Sequence, residues 1–215
     1  MFAGALSCPG EWGEYRLIGH STQMIFLLLG LLLFLGIHSV RICAAPWRIA
    51  QIARVGEGKW KGVFSLVSLV GFFLIVWGYG QARLEPLVLW NPAAWTRHVA
   101  APLTFVAFVL IAAAYVPGTR IKAAIGHPMV AGVTVWAAAH LIANGMLADI
   151  VLFGGFMVWA IAAFASSRRR DREAGTVYPA GSLSRDALAA AIAGVVWIVF
   201  ALWLHLRLIG VRPLG

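Results

Sequence analysis

PMVAGVTVWAAAHLIANGMLADIVLFGGFMVWAIAAFA, residues 128–165, contains a single formally charged side chain, Asp149, and one turn signal, Asn144-Gly145. A helix needs about 20 mostly apolar residues to cross the hydrocarbon of a bilayer. The stretch therefore reads as two crossings, 128–147 and 148–165, joined back to back by a very tight turn. The first of them is the less apolar, because it holds Thr134, His140 and Asn144. Lipid cannot hydrogen-bond these groups, so each must turn toward protein.

Four more runs of the same kind lie outward from this pair, near 23–42, 63–82, 99–116 and 187–206. The chain is 61% hydrophobic and 12% charged, whereas a soluble domain is about half apolar and a quarter charged. Together these imply an all-α fold, a polytopic membrane bundle of about six transmembrane helices. Residues 1–22 read as an N-terminal extension and 23–215 as one transmembrane domain. The first run follows Glu11, Glu14 and Arg16 rather than a basic segment, and no small-residue cleavage pattern follows it. It therefore reads as a retained helix and not a signal peptide. Pro102 and Pro117-Gly118 read as the ends of the third helix. Gly62, Ser65, Ser68 and Gly71, spaced by three, read as a close-packing face on the second. Trp60, Trp90, Trp95 and Trp203 fall near boundaries, as interface anchors do. Residues 166–186 are polar and basic and are expected to form a mobile loop.

Net charge is +9, and its distribution is uneven. Twelve of the seventeen Lys and Arg fall in the loops after the first, third and fifth spans, and five on the opposite side. The positive-inside rule makes the richer side cytoplasmic and puts both termini on the other. This asymmetry accounts for the basicity through the lipid bilayer, and no nucleic acid is expected as a partner. GEGKWKG at 56–62 lacks P-loop spacing and suits a headgroup surface instead.

Carboxylates are nearly absent from the spans, so paired acid–base chemistry and carboxylate proton relays lose support. No serine or cysteine has an obvious base beside it, which disfavours a hydrolase. The two cysteines, Cys8 and Cys43, form no CxxC or CxxCH, which disfavours zinc ribbons and covalently attached haem. Histidine is the informative residue, with six in the chain. His20, His98 and His205 sit near the outer boundary, His127 at the start of the fourth span, and His38 and His140 within spans. An intramembrane imidazole either ties helices together by hydrogen bonding or ligates a metal such as haem iron. Arg41 follows His38 by three, on one helix face, where it would pair with haem propionates or snorkel to headgroups. Asn144 follows His140 by four and would orient a ligand. At 1.5 Å rise per residue, His38 and His140 are offset by about 10 Å along untilted helices. Unless tilt closes that gap, His38 with His127 is the better-matched pair.

Several of these segments resemble the NnrU family of bacterial membrane proteins. The carrying motifs are LGLLLFLGIHSVRI at 29–42, GKWKGVFSLVSLVGFFLIVWGYGQAR at 58–83, LWNPAAWTRH at 89–98, AAYVPGTRIKAAIGHPMVAGVTVWAAAHLIANG at 113–145 and HLRLIGVRPL at 205–214. The likeness covers roughly 24–214 and leaves His20 outside it. It implies the bacterial inner membrane and a link to nitrite and nitric oxide reduction, that is, denitrification. The same family includes the zeta-carotene isomerase, which uses a b-type haem. The resemblance therefore implies haem b as cofactor, with axial ligands at His38 and His140; His98 and His127 also match family histidines.

Three functions are expected on these grounds. The first is a b-haem membrane protein serving nitrogen-oxide or respiratory metabolism with a redox partner. The second is a haem-dependent cis-trans isomerase of an apolar small molecule such as a polyene. The third is a haem-free assembly factor or transporter.

Overall fold

A computed structural model describes the backbone of residues 11–214 and the side chains of 24–214. The expected extension 1–22 lies partly outside this range: residues 1–10 and the side chains before Met24, His20 and Cys8 among them, are not described. Nine α-helices succeed one another among the described residues. They are α1 (Glu11–Cys43), α2 (Ala45–Val55), α3 (Glu57–Ala82), α4 (Trp95–Tyr115), α5 (Arg120–Ile125), α6 (Pro128–Ala143), α7 (Leu147–Glu173), α8 (Leu183–Val199) and α9 (His205–Ile209). A π-helical turn, Phe200–Leu204, joins α8 to α9. No strand forms among these residues, only two isolated bridges.

Five helical segments, within α1, α3, α4, α7 and the α8–α9 unit, are long and apolar enough to cross a membrane. The helix α6 is the sixth and shortest; its 16 residues span about 24 Å. Large apolar side chains point outward along the bundle, among them Leu32, Leu66, Phe73, Val158 and Leu202. That inside-out pattern suits a lipid solvent, in which polar groups and small residues, not hydrophobes, are drawn inward.

Packing orders the long helices in a row, α3–α1–α7–α6–α4–α8. The core of Leu27, Leu31, Ile75, Tyr79, Ala137, Leu152 and Phe153 sits where α1, α3, α6 and α7 meet. Close approach of α1 and α3 depends on glycine. A Cβ at Gly71 would lie 2.7 Å from Phe34 N, and one at Gly30 would lie 2.6 Å from Ile75 N. The contacting face of α3 is thus Gly71, Ile75 and Gly78, further along the helix than the expected Gly62–Gly71 stripe. Of the two glycines in that stripe only Gly71 is in tight contact, and Gly62 faces open space.

Most of the remaining departures lie at helix ends. The crossing expected at 128–147 stops at Ala143, because the Asn144-Gly145 turn is held by the 83–94 loop. Leu89 N–H and Trp90 N–H donate to Gly145 O at 2.9 and 3.3 Å, and Leu147 N–H donates to Leu87 O at 2.9 Å. The helix α7 runs to Glu173, so Arg168–Arg172 are helical and the expected 166–186 loop shrinks to its second half. Its favourable pairs are Arg169–Glu173 at 3.7 Å and Arg168–Asp171 at 3.8 Å, and Arg170 and Arg172 complement the carboxyl end of the helix dipole. Pro102 lies within α4 rather than at its end. The first loop folds into α2, an amphipathic helix with no buried residue.

Candidate functional site

Chain alternation places the ends of α1, α4 and α7 and the starts of α3, α6 and α8 together at the Arg-rich end. The ends of α3 and α6 and the α9 segment lie at the opposite end. Among the described residues a histidine-lined cavity opens toward each end.

The larger, about 540 Å³ in volume, lies at the Arg-poor end. The two extremes of the helix row, α3 and the α8–α9 segment, both line it, as do α4, α6 and α7. His140 enters from α6 and His205 from the start of α9. Its walls are apolar, with the aromatic side chains of Phe72, Phe108, Trp136, Phe156, Trp197 and Phe200 among aliphatic ones, and Arg83, Arg97 and Arg212 supply positive charge. Asn144 also lines it, and its side-chain amide donates to His140 O at 2.8 Å, closing the end of α6.

The smaller cavity, about 340 Å³, lies at the Arg-rich end and is lined by His38, Arg41, Arg48, Lys61, Arg170, Trp60 and Trp159. His38 and His140, the pair implied by the family resemblance, therefore do not share a cavity. An aromatic layer lies between them. His38 stacks on Phe34 at 4.3 Å, Phe34 meets Phe156 at 5.7 Å, Phe156 meets Trp136 at 5.5 Å, and Trp136 meets His140 at 5.1 Å. The cause is the axial offset: His38 sits five residues before the Arg-rich end of α1, while His140 sits three before the opposite end of α6.

The histidines also differ in which ring nitrogen is engaged. Nδ1 is 2.6 Å from Phe34 O in His38, 2.8 Å from Trp136 O in His140, and 2.7 Å from Val211 O in His205. Each carbonyl fixes the Nδ1–H tautomer and leaves Nε2 as the basic nitrogen, the arrangement usual for a metal-ligating imidazole. His127 is wired the other way. Its Nε2 lies 2.8 Å from Asp171 Oδ2 and 3.3 Å from the Tyr178 hydroxyl, which itself donates to Asp171 at 2.9 Å. This cluster fastens the 174–182 segment to the start of α6, and His127 is not among the residues that line the cavity of His38. Burial, together with the hydrogen bond to Asp171 and its negative charge, pushes the Tyr178 phenol above its ordinary value.

No group of three or more His, Cys, Asp or Glu gathers among the described residues. The larger cavity fits a haem in its donor set: two imidazoles each tied to a carbonyl through Nδ1, aromatic side chains for the macrocycle, and three guanidinium groups for two propionates. Its volume also lies within the range of about 300–1,000 Å³ usual for small-molecule sites.

His205 is the residue that sequence reasoning placed only at a boundary. The π turn before it shifts the register of the helix and re-aims the side chains beyond; such turns recur at functional sites. Asp149, expected at a boundary, is completely buried. It accepts from the Tyr79 hydroxyl at 2.6 Å and from Met146 N–H at 3.0 Å, capping α7.

The family described as NnrU protein matches residues 26–213. The chain belongs to the NnrU family. The NnrU match takes in His38, His140 and His205, each with Nδ1 tied to a carbonyl, and Arg83, Arg97 and Arg212 of the larger cavity. Comparison with curated proteins and with solved structures finds no match.

Proposed function

We propose that this NnrU protein is a b-type haem-binding protein of the bacterial inner membrane. The haem would be held in the larger cavity by His140 and His205. The observation that carries this reading is the presence of two imidazoles in one cavity, each with Nδ1 tied to a backbone carbonyl. The arginines Arg83, Arg97 and Arg212 would neutralise the propionates, and Asn144 would steady the end of α6 under His140. The family likeness supports a role in nitrite or nitric oxide metabolism. When bound, the haem would supply one-electron exchange or a site for a small gaseous ligand.

An isomerase of an apolar polyene is the second reading, favoured by the aromatic walls of the cavity. There too His140 and His205 would hold the haem beside the polyene.

The test is the absorption spectrum of protein purified from haem-replete cells. We expect a Soret band that His140→Ala abolishes, that His205→Ala shifts to a five-coordinate form or weakens, and that His38→Ala leaves intact. Colourless folded protein sinks haem binding altogether. Loss of the band in His38→Ala but not in His205→Ala sinks the assignment to this cavity.

A further inference from the structure

We propose that the smaller cavity, at the Arg-rich end, binds the phosphate of an anionic phospholipid. Among the described residues four cations line it, Arg41, Arg48, Lys61 and Arg170, and no carboxylate does. Lys61 is already paired with Glu57 at 2.8 Å on the exposed surface. The three guanidinium groups thus have no acidic partner among the lining residues. Arg170 is held by the Ser166 and Ser167 hydroxyls, both at 2.7 Å. Arg41 and Arg170 are near enough for their like charges to repel, while Asp171 and Glu173, outside the lining, attract Arg170. A fold that holds such charges together gains most from an anion between them, and guanidinium forks match phosphate oxygens well.

The surroundings favour a lipid as the carrier of that phosphate. Arg48 comes from α2, whose Trp47 and Ile49 are exposed, as on a helix lying in a membrane interface. Trp60 is buried and meets Trp47 edge-on at 5.8 Å, which pins α2 beside the cavity. Ile37, Phe64, Met129 and Val130 complete the lining with apolar surface. A charged recess with an apolar floor, set between spanning helices at the basic end, suits an amphiphile's headgroup. Inorganic phosphate offers the same chemistry without the tails.

Delipidated wild-type protein and the Arg41→Gln/Arg170→Gln double variant would be titrated with phosphatidylglycerol, phosphatidylcholine and inorganic phosphate, with binding read by native mass spectrometry. We expect one tightly held phosphatidylglycerol per chain, weakened about tenfold for each guanidinium removed. Phosphatidylcholine should bind far more weakly. Arg48→Gln, on a helix with no buried residue, serves as the second variant should the double variant misfold, and should also lose about tenfold. Equal binding of the two lipids, or unchanged binding in the variants, overturns the proposal. Saturation by inorganic phosphate alone, with no gain from the lipid, overturns the choice of a lipid. Haem content of the same variants should not change, so failure here is distinct from failure of the haem reading.

Discussion

Replacing Asp149 by alanine tests how the bundle positions its larger cavity. The carboxylate is completely buried, caps α7 through Met146 N–H, and anchors the Tyr79 hydroxyl of α3. Loss of the cap costs about 1 kcal/mol. Loss of a charge-assisted acceptor for a buried hydroxyl adds about 2 kcal/mol. Asp149→Ala should therefore destabilise the fold by about 3 kcal/mol. Tyr79→Phe removes one donor from a buried carboxylate and keeps the ring packing against Phe153; its cost should be about 2 kcal/mol. Both single changes delete the same bond, so the double variant should fall short of the sum by about 1–2 kcal/mol. The assay is reversible unfolding by dodecyl sulfate in lipid–detergent bicelles, for wild type, the two single variants and the double. An Asp149→Ala cost within about 0.5 kcal/mol of zero would place it among ordinary surface changes and refute the reasoning. Strict additivity of the two changes would refute the coupling.

Other consequences can be measured in parallel. Gly71→Val puts branched carbon against Phe34 N and should lower stability in the same assay by about 1–3 kcal/mol, whereas Gly62→Ala, facing open space, should be nearly silent. Tyr178→Phe removes a donor to Asp171 and should speed proteolysis within 174–182. The raised Tyr178 phenol gives this contact a pH dependence. Its stabilising contribution is fully present below the unfolded tyrosine value of about 10 and is lost as pH rises past it; protection from protease should fall in that window. A reporter fused after Gly215 should be active on the non-cytoplasmic side, and activity restricted to the cytoplasm would reverse the orientation drawn from the arginine count.

Reading the sequence found the spans because bilayer thickness demands long apolar runs, and nothing else in such a chain has that composition. It missed α7's extra turns past Ala165, since ion pairs along Arg168–Glu173 look like a loop to hydropathy alone. It also shifted the packing face of α3, because regular spacing of small residues does not say which of them meets another backbone; Gly30 on α1 decided that. For the site, His140 was legible as a polar group marooned in an apolar run. The separation of His38 from it was foreshadowed by helix rise. His205 as its cavity mate was not legible, because a π turn and the curvature of the helix row bring it there, and neither leaves a local signature.

The aromatic layer of Phe34, Phe156 and Trp136 has a consequence for the cell's energy economy. Two recesses open toward opposite faces thin whatever material remains between them, and in any membrane that holds a proton gradient an unbroken file of water there would let protons run down it. The rings fill that width, and apart from the single indole N–H of Trp136 they offer such a file no hydrogen-bonding site. Smaller aliphatic substitutes in that layer should make proteoliposomes leak protons, even where each recess keeps its own occupant.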